Sequence, residues 1–116
     1  MYRIIRKILF LFKPERAHSF ALFWLECIYR FPGGRAFLSA LYSPKRRLET
    51  RCFGLTFKNP IGLAAGFDKN ARHLKPLSTL GFGFIEIGSV TAKQADGNSK
   101  PRLFRLPQDQ AIINRM

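Results

Sequence analysis

The sequence predicts an α/β chain in which a basic helical segment, residues 1–44, precedes a segment of strand–helix–strand character, residues 45–116. Three observations predict it. The first forty residues repeat their apolar side chains at helical spacing. From Arg47 the pattern changes to short apolar runs broken by glycine. Two of those runs, about twenty residues apart, each end in glycine followed by polar residues, as the strands of a parallel βα fold do.

The opening residues, MYRIIRKILFLFK, arrange on a helix with Arg3, Arg6, Lys7 and Lys13 on one side. Ile4, Ile5, Ile8, Leu9, Leu11 and Phe12 fall on the other, and only Phe10 sits among the cations. Such a helix lies in a membrane interface with its cations toward lipid phosphates. The plain alternative is a surface helix packed on a core or on a partner. Charge interrupts the apolar run and no small-residue cleavage site comes after it, which excludes a secretory signal; an acid-free, Arg-containing start remains compatible with a mitochondrial transit peptide.

Pro14 suits the first turn of a second helix over 14–31. Glu15, His18, Ser19, Glu26 and Arg30 gather on one of its sides, with Phe20, Leu25, Ile28 and Phe31 on or near the other. Pro32-Gly33-Gly34 stops it, and a short third helix runs over Ala36–Tyr42. These helices carry more aromatic residues than they can bury among themselves, so the segment offers an apolar surface to lipid, an apolar ligand or another domain.

In the second segment, Arg51–Lys58 reads as a hairpin turning at Gly54. Asn59-Pro60 then opens IGLAAGF, whose small residues let another group approach the backbone. Ala71–Leu80 is helical in type, with Pro76 expected to kink or split it, and Gly81 closes it. Phe84–Gly88 reads as a buried strand with one inward acid, leading into Ser89-Val90-Thr91. The strand ends Ala65–Lys69 and Gly88–Thr91 place a cation, hydroxyls and bare backbone where parallel folds bind ligands. Pro101–Leu106 and Ala111–Asn114 form a hairpin around Pro107–Gln110. Lys69 by itself reads equally as a solvated loop lysine, and His18 as an ordinary half-exposed helical histidine.

Composition narrows the function. The chain holds 20 Lys+Arg and 7 Asp+Glu, net +13, and 47% of its residues are hydrophobic. That balance favours anionic partners and excludes a disordered chain. Two cysteines exclude a disulfide scaffold, and Cys27, Cys52, His18 and His73 lack the close spacing of a zinc site. The longest uncharged stretch near the start, Ala17–Leu25, falls well short of the about 18 residues a spanning helix requires. Gly81-Phe-Gly83 precedes a strand and is no dinucleotide fingerprint. Nucleic-acid-binding signatures are absent and the charge spreads over two unlike segments, so no nucleic-acid partner is expected.

Asn59–Lys69 (NPIGLAAGFDK), Gly81–Thr91 (GFGFIEIGSVT), Lys100–Pro107 (KPRLFRLP), Ile113–Met116 (INRM) and Pro14–His18 (PERAH) together resemble class 2, quinone-dependent dihydroorotate dehydrogenase. The resemblance covers nearly the whole chain. It implies a helical membrane-associating, quinone-tunnel domain over 1–44, then the first strands of an FMN-binding (β/α)8 TIM barrel over 45–116. It implies FMN contacts at Ala65, Gly66, Phe67, Asp68, Lys69 and Ser89, and substrate contacts at Lys69, Asn114, Arg115 and Met116. His18 and Arg105 match quinone-site positions. The implied reaction oxidises dihydroorotate to orotate in pyrimidine (UMP) biosynthesis, with FMN as redox cofactor and a membrane quinone as acceptor. The implied protein is a monomer, peripheral on an acidic lipid surface at the cytoplasmic face of the bacterial inner membrane, the mitochondrial inner membrane being the alternative. No catalytic residue is expected within the chain: the base, a Ser in this class, is expected beyond Met116, because a full barrel needs about 250 residues. These 116 residues alone are therefore expected to be inactive. The alternatives are a non-catalytic membrane-surface remnant and a soluble class 1 relative with a Cys base, against which the N-terminal helices count.

Overall fold

The cations and aliphatic residues of the first turns separate onto two faces, and the computed structural model, which describes residues 2–45 and 48–115, forms a helix there, α1 (Tyr2–Phe10). It tightens at its end into bonds of three-residue span, Leu11 N–H to Ile8 O and Phe12 N–H to Leu9 O. Pro14 then begins α2 (Pro14–Arg30), where its missing N–H costs nothing. The faces of α2 divide between protein and outside. Phe20, Ile28 and Phe31 are exposed, while Ala17 and Leu22 are buried and Glu15, His18 and Glu26 are half-buried. The polar side meets protein because the Glu15 and Glu26 carboxylates accept tertiary hydrogen bonds there. The apolar side is left outward.

The third helix, α3 (Gly34–Tyr42), starts two residues earlier than predicted. Gly33 takes a left-handed φ of 80°, and Gly34 backs onto α2 so closely that a Cβ would lie 1.6 Å from the Ile28 carbonyl oxygen. Only glycine fits that crossing. Leu38 is buried on α3, and the helix packs against a 3₁₀ turn at Ser78–Leu80.

Thr50–Cys52 (β1) and Leu55–Phe57 (β2) pair antiparallel. Phe53 and Gly54 both turn through positive φ, 51° and 75°, as a two-residue hairpin of this hand demands. Gly62–Leu63 (β3) pairs parallel with Phe84–Ile85 (β4), and between them runs α4 (Leu74–Leu77) with the 3₁₀ turn. Two expectations need correcting. The helix does not start at Ala71, which has a φ of 52°. It begins at Leu74, so Pro76 stands in its first turn and neither kinks nor splits it. The strand at Phe84 is shorter than Phe84–Gly88 and not buried, and Glu86 is exposed rather than inward. Among the described residues β4 pairs with one strand, β3, and no second strand pairs along its other edge. The buried residues around this unit are Asn59, Pro76, Leu77 and Thr79. Asn59 clamps it: its Nδ2 donates to Gly81 O at 3.0 Å and its Oδ1 accepts from Ile61 N–H at 3.0 Å.

Leu103–Leu106 (β5) and Ala111–Asn114 (β6) form the expected antiparallel hairpin, Leu103 opposite Asn114. The chain divides into two compact units. One joins residues 1–23 to 91–116; the other is residues 24–90.

Candidate functional site

In the unit of residues 24–90, the backbone leaving β3 enters a turn at Ala65-Gly66 and continues through Lys69. Gly66 has a φ of 96°, and a Cβ there would meet nothing within 4 Å. The segment Ala64–Gly66 is therefore an open face of small groups. Asp68 fixes the next five residues. Its carboxylate accepts the N–H of Arg72 at 3.1 Å and of His73 at 2.6 Å, and its carbonyl accepts the N–H of Ala71 at 3.0 Å. A short acidic side chain bonding the backbone ahead of it is the common way to set a loop. The Asp68 carbonyl meanwhile holds the N–H of Ala71, which lies in the left-handed region, an uncommon place for alanine. Lys69 stands on this loop with an exposed side chain.

The end of β4 lies alongside. A Cβ on Gly88 would come within 3.3 Å of Lys69 O and 3.4 Å of Lys69 Cα. Glycine thus lets the two strand-end backbones touch, and puts Ser89 next to the residue packed on Lys69. The structure brings together Ala65, Gly66, Lys69 and Ser89 at the C-terminal ends of a parallel pair, all exposed. An ammonium, a hydroxyl and a bare backbone face form a donor set for a flat, anionic, oxygen-rich group such as a flavin. The side chain of Phe67 is also exposed.

The other predicted residues lie in the unit of 1–23 with 91–116. Asn114 ends β6 and is exposed, as is Arg115, whose carbonyl accepts from Asn98 Nδ2 at 2.7 Å. Met116 lies outside the described residues. His18 is half-buried on α2. Arg105, on β5, turns its guanidinium onto the end of α1: Nη1 donates to Phe12 O at 2.7 Å and Phe10 O at 3.2 Å, and Nη2 to Leu9 O at 3.4 Å. These carbonyls belong to the end of α1 and the turn after it, where helix-end acceptors need outside donors, and the cation also suits the negative end of the helix dipole. The same guanidinium sits 4.2 Å from the centre of the Phe10 ring, with Arg6 at 5.1 Å. That explains why Phe10 alone falls among the cations of α1. Glu15, at the start of α2, accepts the N–H of Arg102 at 2.7 Å. A cleft of about 560 Å³ lies beside these residues, lined by Lys13, Glu15, Arg16, Lys100, Phe104 and Arg105 among others.

Two residues escape the sequence reading. His73 Nδ1 lies 3.0 Å from Glu26 Oε2, and Arg30 Nε donates to Glu26 Oε1 at 2.7 Å. The hydrogen bond from His73, and after it the one from Arg30, hold the Glu26 carboxyl below its ordinary value of 4.5. No single-sequence signal joins positions 47 residues apart. The only available cue is local, the helical spacing of Glu26 and Arg30. Among the described residues no helix is long and apolar enough to cross a membrane, and no group of three or more potential metal ligands occurs.

A family model for dihydroorotate dehydrogenase matches residues 47–116. A relative from Christiangramia forsetii named dihydroorotate dehydrogenase (quinone) is 53% identical over 118 residues, covering 100% of this chain and 35% of its own length. One of the same name from Xanthomonas campestris pv. campestris is 52% identical over 116 residues, covering 100% and 32%. The chain thus spans about a third of the length of the curated relatives it matches. A crystal structure of ligand-free DHODH from Eimeria tenella superposes with a TM-score of 0.69 at 44% identity, covering 89% of this chain and 26% of that one. Its complex with ferulenol gives 0.68 at 44%, covering 88% and 25%.

Proposed function

The chain belongs to the dihydroorotate dehydrogenase family, and on that premise we propose that it serves the quinone-dependent oxidation of dihydroorotate to orotate in pyrimidine biosynthesis, with FMN as cofactor. The observation that carries this reading is the contact of Gly88 with the Lys69 backbone, which sets Ser89 and Lys69 side by side at two parallel strand ends next to the open Gly66. Ala65 and Gly66 leave room for a ring to lie on the main chain. When bound, FMN supplies the redox chemistry between dihydroorotate and the quinone. Lys69 then holds a positive charge where negative charge accumulates at the ring and substrate edge, a fixed stabilisation that needs no rearrangement. Ser89 offers its hydroxyl to the cofactor, and Phe67 and Asp68 shape the loop around it. Asn114, Arg115 and Met116 are assigned to the pyrimidine, and His18 and Arg105 to the quinone side. The proton leaving the substrate goes to a base outside these 116 residues, so these residues alone should not turn over dihydroorotate.

The membrane part of the reading assigns residues 1–44 to the lipid surface and 45–116 to the barrel. It rests on the outward apolar side chains of α1 and the turn after it, where Ile4 is 66% and Leu11 is 84% exposed, beside the basic residues Arg3, Arg6 and Lys7. The proposed location is peripheral, on the cytoplasmic face of the bacterial inner membrane.

A chimera tests the whole reading. Replacing the first third of the Xanthomonas campestris relative with this chain should preserve dihydroorotate-dependent quinone reduction. Lys69→Met in the chimera should lower kcat by about 100-fold or more, the scale of losing one fixed charge-stabilising group. A fully active Lys69→Met chimera would remove Lys69 from the site.

A further inference from the structure

His73 is the meeting point of three elements within residues 24–90. Its N–H donates to the Asp68 carboxylate at 2.6 Å. Its carbonyl accepts the N–H of Leu77 at 3.0 Å and so begins α4. Its ring makes no capping bond to that helix, and turns instead to α2, with Nδ1 3.0 Å from Glu26 Oε2. A carboxylate only accepts, so Nδ1 carries the proton in this pair. Arg30 occupies the other oxygen of Glu26 at 2.7 Å, which leaves Oε2 directed at the histidine. Both members are only about a quarter exposed or less, 26% for the His73 side chain and 22% for that of Glu26, a setting in which such a bond holds better than on an open surface.

The loop this pair reaches is the one bearing Lys69. Asp68 closes it over Ala71, Arg72 and His73, and Gly88 backs onto Lys69 from the side of β4. From Glu26 to Lys69 there is thus an unbroken path: a helix carboxylate, an imidazole, a backbone N–H, and the Asp68 carboxylate adjoining Lys69 in the chain. We infer that Glu26 and His73 are positioning residues that brace the Lys69 loop against α2, so that the ammonium is presented at a fixed place before any ligand arrives.

This inference builds on the proposed flavin site but is tested first without flavin. In the full 116-residue chain, amide hydrogen exchange is measured residue by residue by NMR. His73→Phe keeps the ring's bulk and removes the bond; His73→Gln keeps a donor. The expected result is roughly tenfold faster exchange of the Arg72 and His73 amides in His73→Phe and in Glu26→Ala, near-wild-type exchange in His73→Gln, and unchanged exchange of the β5–β6 hairpin in all three. A general loosening of the hairpin as well would mark mere unfolding and overturn the inference, as would equal protection in His73→Phe and wild type. FMN affinity of the same variants, read from flavin fluorescence, is the second arm. Expected is several-fold weaker binding for His73→Phe with rescue by His73→Gln. Loop loosening with no change in FMN affinity would overturn the link to Lys69. Failure of wild type to bind FMN, with the exchange pattern intact, would count against the flavin reading of this chain and leave the brace standing on the first arm.

Discussion

The two strand ends that flank the proposed flavin position are built in opposite ways. After β3, the chain is fixed at once: Asp68 accepts two backbone N–H groups, and His73 ties the turn to Glu26. After β4, the residues Ser89–Lys100 are all exposed; Thr91 donates to the Lys93 carbonyl at 2.7 Å and Gln94 to Asp96 at 3.1 Å, each two residues on, and a longer-range bond, Asn98 to the Arg115 carbonyl at 2.7 Å, comes only further along. Bonds that span two residues restrain little beyond themselves. The difference teaches that one side of the site is set at once by the chain's own hydrogen bonds, while the first residues of the other side lie against it through a glycine contact, Gly88 on Lys69.

That contrast can be broken from either end. The largest effect is expected for Asp68→Ala. It strips the acceptor from two backbone N–H groups and should destabilise residues 24–90 by about 1–3 kcal/mol, measured by denaturant titration, with the Arg72 and His73 amides exchanging fastest. Acid should act on the same side more gently. The Glu26 carboxyl lies lower in the folded chain than its ordinary value of 4.5 because His73 and Arg30 bond its charged form. Its contribution is therefore fully present above about pH 4.5 and is lost as the pH falls through the lower folded value. Protection of the Lys69 loop measured down this range should fade in wild type, while Glu26→Gln should lack the step. The smallest effect belongs to the other strand end: Thr91→Val removes one exposed local bond and should shift stability by less than about 0.5 kcal/mol. A loss as large as that of Asp68→Ala would erase the distinction between the two ends.

Much of this architecture is legible in the sequence wherever a local rule governs. Pro14 starting a helix, Gly81 ending one with φ 81°, and the β5–β6 hairpin all arise from backbone preferences that act over a few residues. The strand ends with Lys69 and Ser89 are legible because glycine and polar residues come directly after apolar runs. The features that escape the sequence are long-range. An apolar outward surface on the helices is expected from their aromatic surplus, but the partners that turn the polar side of α2 inward, Arg102 for Glu15 and His73 for Glu26, leave no periodic trace. Ala71 at positive φ likewise breaks the expected start of α4, since the acceptor that holds it, Asp68, competes with helix formation there.

The outward apolar side chains of the helices carry a physical consequence of their own. Ile4, Ile5, Ile8 and Leu11 near α1, and Phe20, Phe23 and Phe31 along and just beyond α2, are exposed in a chain of net charge +13. Such side chains should drive adsorption at uncharged detergent micelles and at the air–water surface of a dilute sample, and at these uncharged boundaries salt that screens the chain's self-repulsion should increase it.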